Sequence, residues 1–205
     1  TDRQWLQPLS GRWYVMAVII ATSIAAYMNY YVRASQYDIW QQNPEIFALD
    51  DGTQLFTTTD AGYFIGLAQS IKRDGNFQTF NEKRLYPTNI NSMQLASPPA
   101  SIFDAPLLSS LIAIVADGYS SKALLKAAHW LIPVTAAVTA LFIVFAFGSV
   151  GYWLEGALAA AGGGLSLAYM TRSGAGRIDT DQLNLGFFYL MFGLVIFAAR
   201  AKSLR

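Results

Sequence analysis

The run WYVMAVIIATSIAAYMNYYV, Trp13 to Val32, contains no charged side chain and carries aromatic residues at both ends. About 20 mostly apolar residues are what an α-helix needs to cross a bilayer. The run is too long and too aromatic for the core of a signal peptide, and no small-residue cleavage site follows it. It predicts a first membrane span. Outward from it, three more stretches have the same character. Ala127 to Phe147 includes Pro133, which membrane helices tolerate. Gly151 to Thr171 includes Gly162-Gly163-Gly164, small residues that allow close helix contact. Leu183 to Ala199 is short for a span. Only Gly148-Ser149-Val150-Gly151 separates the second and third stretches, so these two form an antiparallel pair. The predicted fold is all-α and integral to the membrane, with four transmembrane helices.

Composition agrees. Of 205 residues, 54% are hydrophobic and 13% charged, against about 25% charged in an ordinary soluble domain. The net charge of +1 implies no nucleic-acid partner. The absence of cysteine excludes a disulfide framework, a thiolate metal site and a cysteine nucleophile. The sequence starts at Thr1 and ends at Arg205 just after an apolar run. We expect it to be the N-terminal part of a longer polytopic protein.

Lys and Arg set the orientation. Arg3 and Arg12 precede the first span, and Arg200, Lys202 and Arg205 follow the fourth. Four crossings place both basic ends on one side, taken as cytoplasmic. The loop 33–126 and the short segment 172–182 then lie outside. Ile102 to Ala116 is apolar but short, and Asp104 and Asp117 flank it. It is expected to be an interfacial or re-entrant helix.

A 94-residue outer loop is far longer than an ordinary connection. Within it, Thr57-Thr58-Thr59-Asp60 is an N-cap cluster. Phe64, Leu67, Ala68 and Ile71 then recur on one helical face, Lys72 and Arg73 sit in the last turn, and Gly75 is a C-cap candidate. The following part, with Pro87, Pro98, Pro99 and Pro106, reads as irregular loop.

Two acidic places stand near the outer surface: Asp60, and Asp179-Thr180-Asp181 at the start of the fourth span. Carboxylate oxygens in such an arrangement suit a hard divalent cation such as Mg²⁺ or Mn²⁺. Asp and Thr also cap helices and complement the positive end of the dipole, and the two roles are compatible. Arg172 and Arg177 flank Asp179. They fit either snorkelling at the interface or bidentate recognition of phosphate. His129, the only histidine, is expected to be satisfied within the helix bundle, and Tyr27, Tyr30, Tyr31, Tyr37 and Trp40 to form an interfacial aromatic belt.

Two segments resemble a known family. Ala34-Ser35-Gln36-Tyr37 followed by Thr57-Thr58-Thr59-Asp60-Ala61-Gly62-Tyr63-Phe64 is similar to the first acidic motif of the catalytic subunit of oligosaccharyltransferases. Thr171-Arg172-Ser173-Gly174-Ala175-Gly176-Arg177-Ile178-Asp179-Thr180-Asp181-Gln182-Leu183-Asn184 is similar to that family's second acidic motif. The resemblance implies the N-terminal part of the lipid-dependent glycosyltransferase (GT-C type) fold. It implies transfer of an oligosaccharide from a polyprenyl (pyro)phosphate carrier to asparagine of an acceptor polypeptide, in a prokaryotic plasma membrane or an endoplasmic reticulum membrane. On matching positions it implies Asp60 and Asp179 as ligands of Mn²⁺ or Mg²⁺, Asp181 as a supporting acid, and Arg172, with Arg177, at the lipid pyrophosphate. Ile178 and Arg177 depart from aromatic residues common in the family. A later Glu ligand and a Trp-Trp-Asp motif that the family uses are not in this sequence, so the chain alone is expected to be inactive. Two alternatives are a polyprenyl-phosphate-sugar-dependent transferase acting on protein hydroxyls or lipid A, and a non-enzymatic transporter or assembly subunit.

Overall fold

A computed structural model describes residues 11–74 and 107–203. Arg3, Gly75, Pro87, Pro98, Pro99, Pro106 and Arg205, singled out in the sequence, lie outside the described residues. Every regular element among the described residues is a helix: α1 Gly11–Gln42, α2 Pro44–Phe47, α3 Thr59–Asp74, α4 Leu107–Val115, α5 Ser121–Gly148, α6 Trp153–Gly164, α7 Leu167–Arg172 and α8 Asp181–Ser203. Among the described residues, three helices are long and apolar enough to cross a membrane: Gly11–Gln42, Ser121–Gly148 and Leu183–Ala201.

The described residues fall into two compact units. The first comprises those within Thr1–Arg33, Pro133–Arg172 and Asp181–Arg205, the second those within Ala34–Ile132 and Ser173–Thr180.

The core of the first unit is built of small side chains. Ala25, Ala140, Ile143, Val144, Ala157 and Ala160 are buried together. Close approach is completed by glycines on which no Cβ fits: one at Gly156 would stand 2.7 Å from Phe147, and one at Gly193 2.7 Å from Phe145. Small residues let helices meet by van der Waals contact where lipid offers no hydrophobic drive. The Gly162-Gly163-Gly164 run serves this purpose only at Gly164, because Gly162 and Gly163 face open space. Ile19, Ile24, Phe188, Met191 and Val195 on α1 and α8 are exposed, an apolar surface that suits lipid far better than water.

The predicted span 151–171 is not one continuous helix. It is interrupted at Leu165-Ser166 between α6 and α7. Three successive glycines weaken the end of α6, and Ser166 serves both ends of the break. Its hydroxyl donates to Gly163 O at 2.7 Å, and Tyr169 N donates to Ser166 Oγ at 3.4 Å. Ten residues of α1 beyond Val32 extend the first helix past the predicted span, and they belong mostly to the second unit.

In the second unit, α3 lays Phe64, Leu67 and Ala68 against Leu108, Ile112 and Ala113 of α4. Ser109 Oγ donates to Phe64 O at 3.0 Å. α4, with nine residues, reaches only about 14 Å at 1.5 Å per residue. Residues 102–106 of the expected interfacial segment lie outside the described residues. Lys72 and Arg73 do occupy the last turn of α3. Between α2 and α3 the chain reverses in a tight turn: Gly52 adopts φ +75, Leu49 N donates to Thr53 O, and Thr53 N donates to Asp51 Oδ1, both at 2.8 Å.

Candidate functional site

The loop 173–180 is held by its own unit from several directions. Ser173 and Ile178 are fully buried and anchor its two ends. Ala175 N donates to Gln36 Oε1 at 3.1 Å. Gly176 adopts φ +74, and a Cβ there would lie 2.2 Å from the Trp40 ring. Only glycine satisfies both conditions. Thr57 N donates to Gly176 O at 2.8 Å. That bond joins the segment leading into α3, which carries Asp60, to the loop that carries Asp179.

Asp60 lies in the first turn of α3 and is exposed. Thr58, immediately before the helix, has a buried hydroxyl with no hydrogen-bond partner among the described residues. The expected threonine cap is therefore not formed by Thr58. Asp179 is mostly buried. Its Oδ1 accepts from Thr180 N at 2.6 Å, and its Oδ2 lies 3.8 Å from Arg177 Nη2. Arg177 Nε is buried and finds no partner among the described residues.

Asp181 opens α8. It belongs to the first unit, where its Oδ2 accepts from Arg172 Nη1 at 3.2 Å, with 60% of the arginine and 39% of the aspartate side chain exposed. The pair sits at a cavity of about 490 Å³ whose other walls include Ile143, Phe147, Tyr169 and Tyr189. This is an apolar cleft with a guanidinium and a carboxylate at one place on its wall.

The oxygen donors of Asp60 and Asp179 suit a hard divalent cation. Among the described residues, no group of three or more His, Asp or Glu side chains could hold a metal ion.

Two features escaped the sequence. Tyr37 and Trp40 join an aromatic cluster around His129. Tyr37 stacks on His129 with ring centres 4.9 Å apart, Trp40 lies 5.9 Å from the same imidazole, and Trp40 stacks on Phe47 at 4.5 Å. Tyr37 OH also donates to Gln54 Oε1. Tyr27 and Tyr31 are exposed and stacked on each other at 5.7 Å. His129 Nδ1 bonds Leu125 O at 2.8 Å, and the Leu55 main chain is a second polar neighbour of the imidazole.

The second feature is Arg33, 1% exposed. Nη2 donates to Gly164 O at 3.0 Å, and Nη1 donates to Asn29 O at 3.1 Å and Asn29 Oδ1 at 3.3 Å. The guanidinium also lies 4.8 Å from the centre of the Tyr169 ring. Asn29 Nδ2 in turn reaches Ala160 O at 3.2 Å. Because α6 stops at Gly164, the carbonyl there has no next turn to bond. Arg33 supplies the missing donor and places positive charge at the negative end of the helix. An arginine next to an apolar run looks like an interfacial flank, and nothing nearby in sequence announces a partner 131 positions away.

Comparison of the chain with protein-family models, curated proteins and solved structures yields no match.

Proposed function

We propose that this chain is the N-terminal membrane part of a metal-dependent glycosyltransferase of GT-C type, one that moves an oligosaccharide from a polyprenyl (pyro)phosphate to asparagine of a polypeptide. The observation that carries this reading is the hydrogen bond from Thr57 to Gly176, which ties together the two acid-bearing segments. In this reading Asp60 and Asp179 offer carboxylate oxygens to Mn²⁺ or Mg²⁺, with a further ligand from outside the described residues. The cation would neutralise charge developing on the departing phosphate. Exposed Asp60 is free to approach the acceptor amide. Arg172, half free of Asp181, presents guanidinium N–H groups at the apolar cleft, where a lipid pyrophosphate can take the place of the carboxylate. Arg177 holds Asp179 in place and adds positive charge beside it.

Four crossings fit this scheme. Lys122, at the start of α5, donates to Asp51 O at 3.1 Å, and Gly176, just after α7, accepts from Thr57. Both ends of the excursion through α5, α6 and α7 thus return to the segment 51–57. This supports an even number of crossings, with α6 and α7 together making the return.

The test is transfer to an Asn-x-Ser/Thr peptide by the full-length protein. Asp60→Ala and Asp179→Ala are each expected to abolish it, with membrane insertion intact. Near-normal transfer by both would reject the reading. A structural role for the acids is the rival, favoured by the Asp179 contacts with Thr180 and Arg177. In that case Asp179→Asn, which keeps an acceptor for Thr180, would retain function.

A further inference from the structure

A second cavity, of about 410 Å³, opens where α4 gives way to α5, and is lined by Val115, Ala116, Asp117, Lys122, Lys126 and Trp130 among others. Lys122, Lys126 and Trp130 are spaced four apart, so they follow one another along one face of α5. Lys126 is the last charged residue before the uncharged stretch 127–147. The groove therefore straddles the level at which α5 passes from water to hydrocarbon. Trp130, 49% exposed, lies one turn deeper, where an indole suits the boundary between headgroup and acyl chain.

Its charge chemistry is mixed in a useful way. Lys122 already donates to Asp51 O. Lys126 has no hydrogen bond or ion pair among the described residues. Two ammonium groups call for an anion, whereas Asp117, an acceptor-only carboxylate at pH 7, calls for a hydroxyl donor. Val115, Ala116 and Ala127 provide an apolar wall beneath them. We propose that this groove binds one anionic phospholipid with a hydroxyl-bearing headgroup: its phosphate on Lys122 and Lys126, its headgroup hydroxyl on Asp117, and its first acyl carbons along Trp130 and Val115. The groove shares no lining residue with the cleft at Arg172, and its assignment does not depend on the glycosyltransferase reading.

Native mass spectrometry of the chain released from mixed micelles tests it, with phosphatidylglycerol, phosphatidic acid and phosphatidylcholine offered in equal amounts. Phosphatidylglycerol should be retained over phosphatidylcholine by at least about fivefold, the effect of one basic residue at an anionic surface. Lys122→Gln/Lys126→Gln should bring that ratio close to one. Asp117→Asn should narrow the preference for phosphatidylglycerol over phosphatidic acid while leaving both above phosphatidylcholine. Lys72→Gln, an exposed lysine on α3, should change nothing. If the double variant loses its helical circular dichroism, Lys126→Gln alone supplies the reading, with a partial fall expected. Equal retention of phosphatidylglycerol and phosphatidylcholine by the unaltered chain, or a ratio unmoved by the lysine changes, would overturn the assignment. So would displacement of the lipid by soluble glycerol phosphate at equal concentration, since the acyl chains would then contribute nothing.

Discussion

At the scale of single residues, burial separates what a sequence displays from what it hides. Asp60, Asp179 and Arg172 could be picked out because carboxylates and guanidiniums near a membrane surface are conspicuous. Arg33 could not, since its partners are backbone carbonyls, which every sequence contains. Its replacement is accordingly the sharpest test. Arg33→Met leaves Gly164 O and the Asn29 oxygen without their donor. A buried group left unsatisfied costs about 1–3 kcal/mol, so unfolding in mixed micelles should shift by at least that much. Arg33→Lys should recover only part of the loss, because a single ammonium lacks the planar fork that reaches both helices. A titration gives a second test. Thr53 N–H and its side chain, with the Lys122 charge, hold the Asp51 carboxyl below the usual carboxylate range. A depressed folded-state pKa means that the contribution is present above the unfolded pKa and is lost as pH falls through the folded one. Asp51 should titrate below an exposed reference Asp by NMR, and Asp51→Asn should remove its share of the acid-side loss.

At the scale of elements, apolar runs gave the long candidate spans directly, because a helix satisfies its own backbone groups within hydrocarbon. The interruption at Leu165-Ser166 was not legible. Glycines alone do not say whether a helix breaks, packs closely or simply tolerates them; the decision rests on Arg33 and Ser166. Substitution along the glycine run separates these roles. Gly163→Ala should be neutral or stabilise by up to about 1 kcal/mol, because it raises helix propensity in open space. Gly164→Ala would put a methyl 2.0 Å from Asn29 Oδ1 and should destabilise by about 1–3 kcal/mol, as overpacking does. Thermal unfolding of the two variants side by side reads the difference. The aromatic residues of α1 divide likewise. Tyr27 and Tyr31 stack on each other, whereas Tyr37 and Trp40 belong to a cluster with His129 and Phe47.

At the scale of the whole molecule, the number of crossings decides whether the acid-bearing segments can act together. The chain has no cysteine, so single cysteines can be placed without background. Cysteines at Asp50 and Tyr119, both outside the long helices, should react with a membrane-impermeant maleimide from one side, and a cysteine at Tyr152, in the turn between α5 and α6, only from the other. Labelling of all three from the same side would remove the four-span arrangement and with it the proposed catalytic role. The acid motifs were visible in sequence, but the bond between their segments was not, since Thr57 N and Gly176 O are main-chain atoms.

The arginine that finishes α6 also carries a timetable. Synthesis runs from the N-terminus, and Gly164 is made 131 residues after Arg33. A newly inserted first helix therefore holds a guanidinium whose resting place does not yet exist. Until it does, water and lipid headgroups are the partners open to that charge, and a chain truncated before Gly164 should remain accessible to water at Arg33.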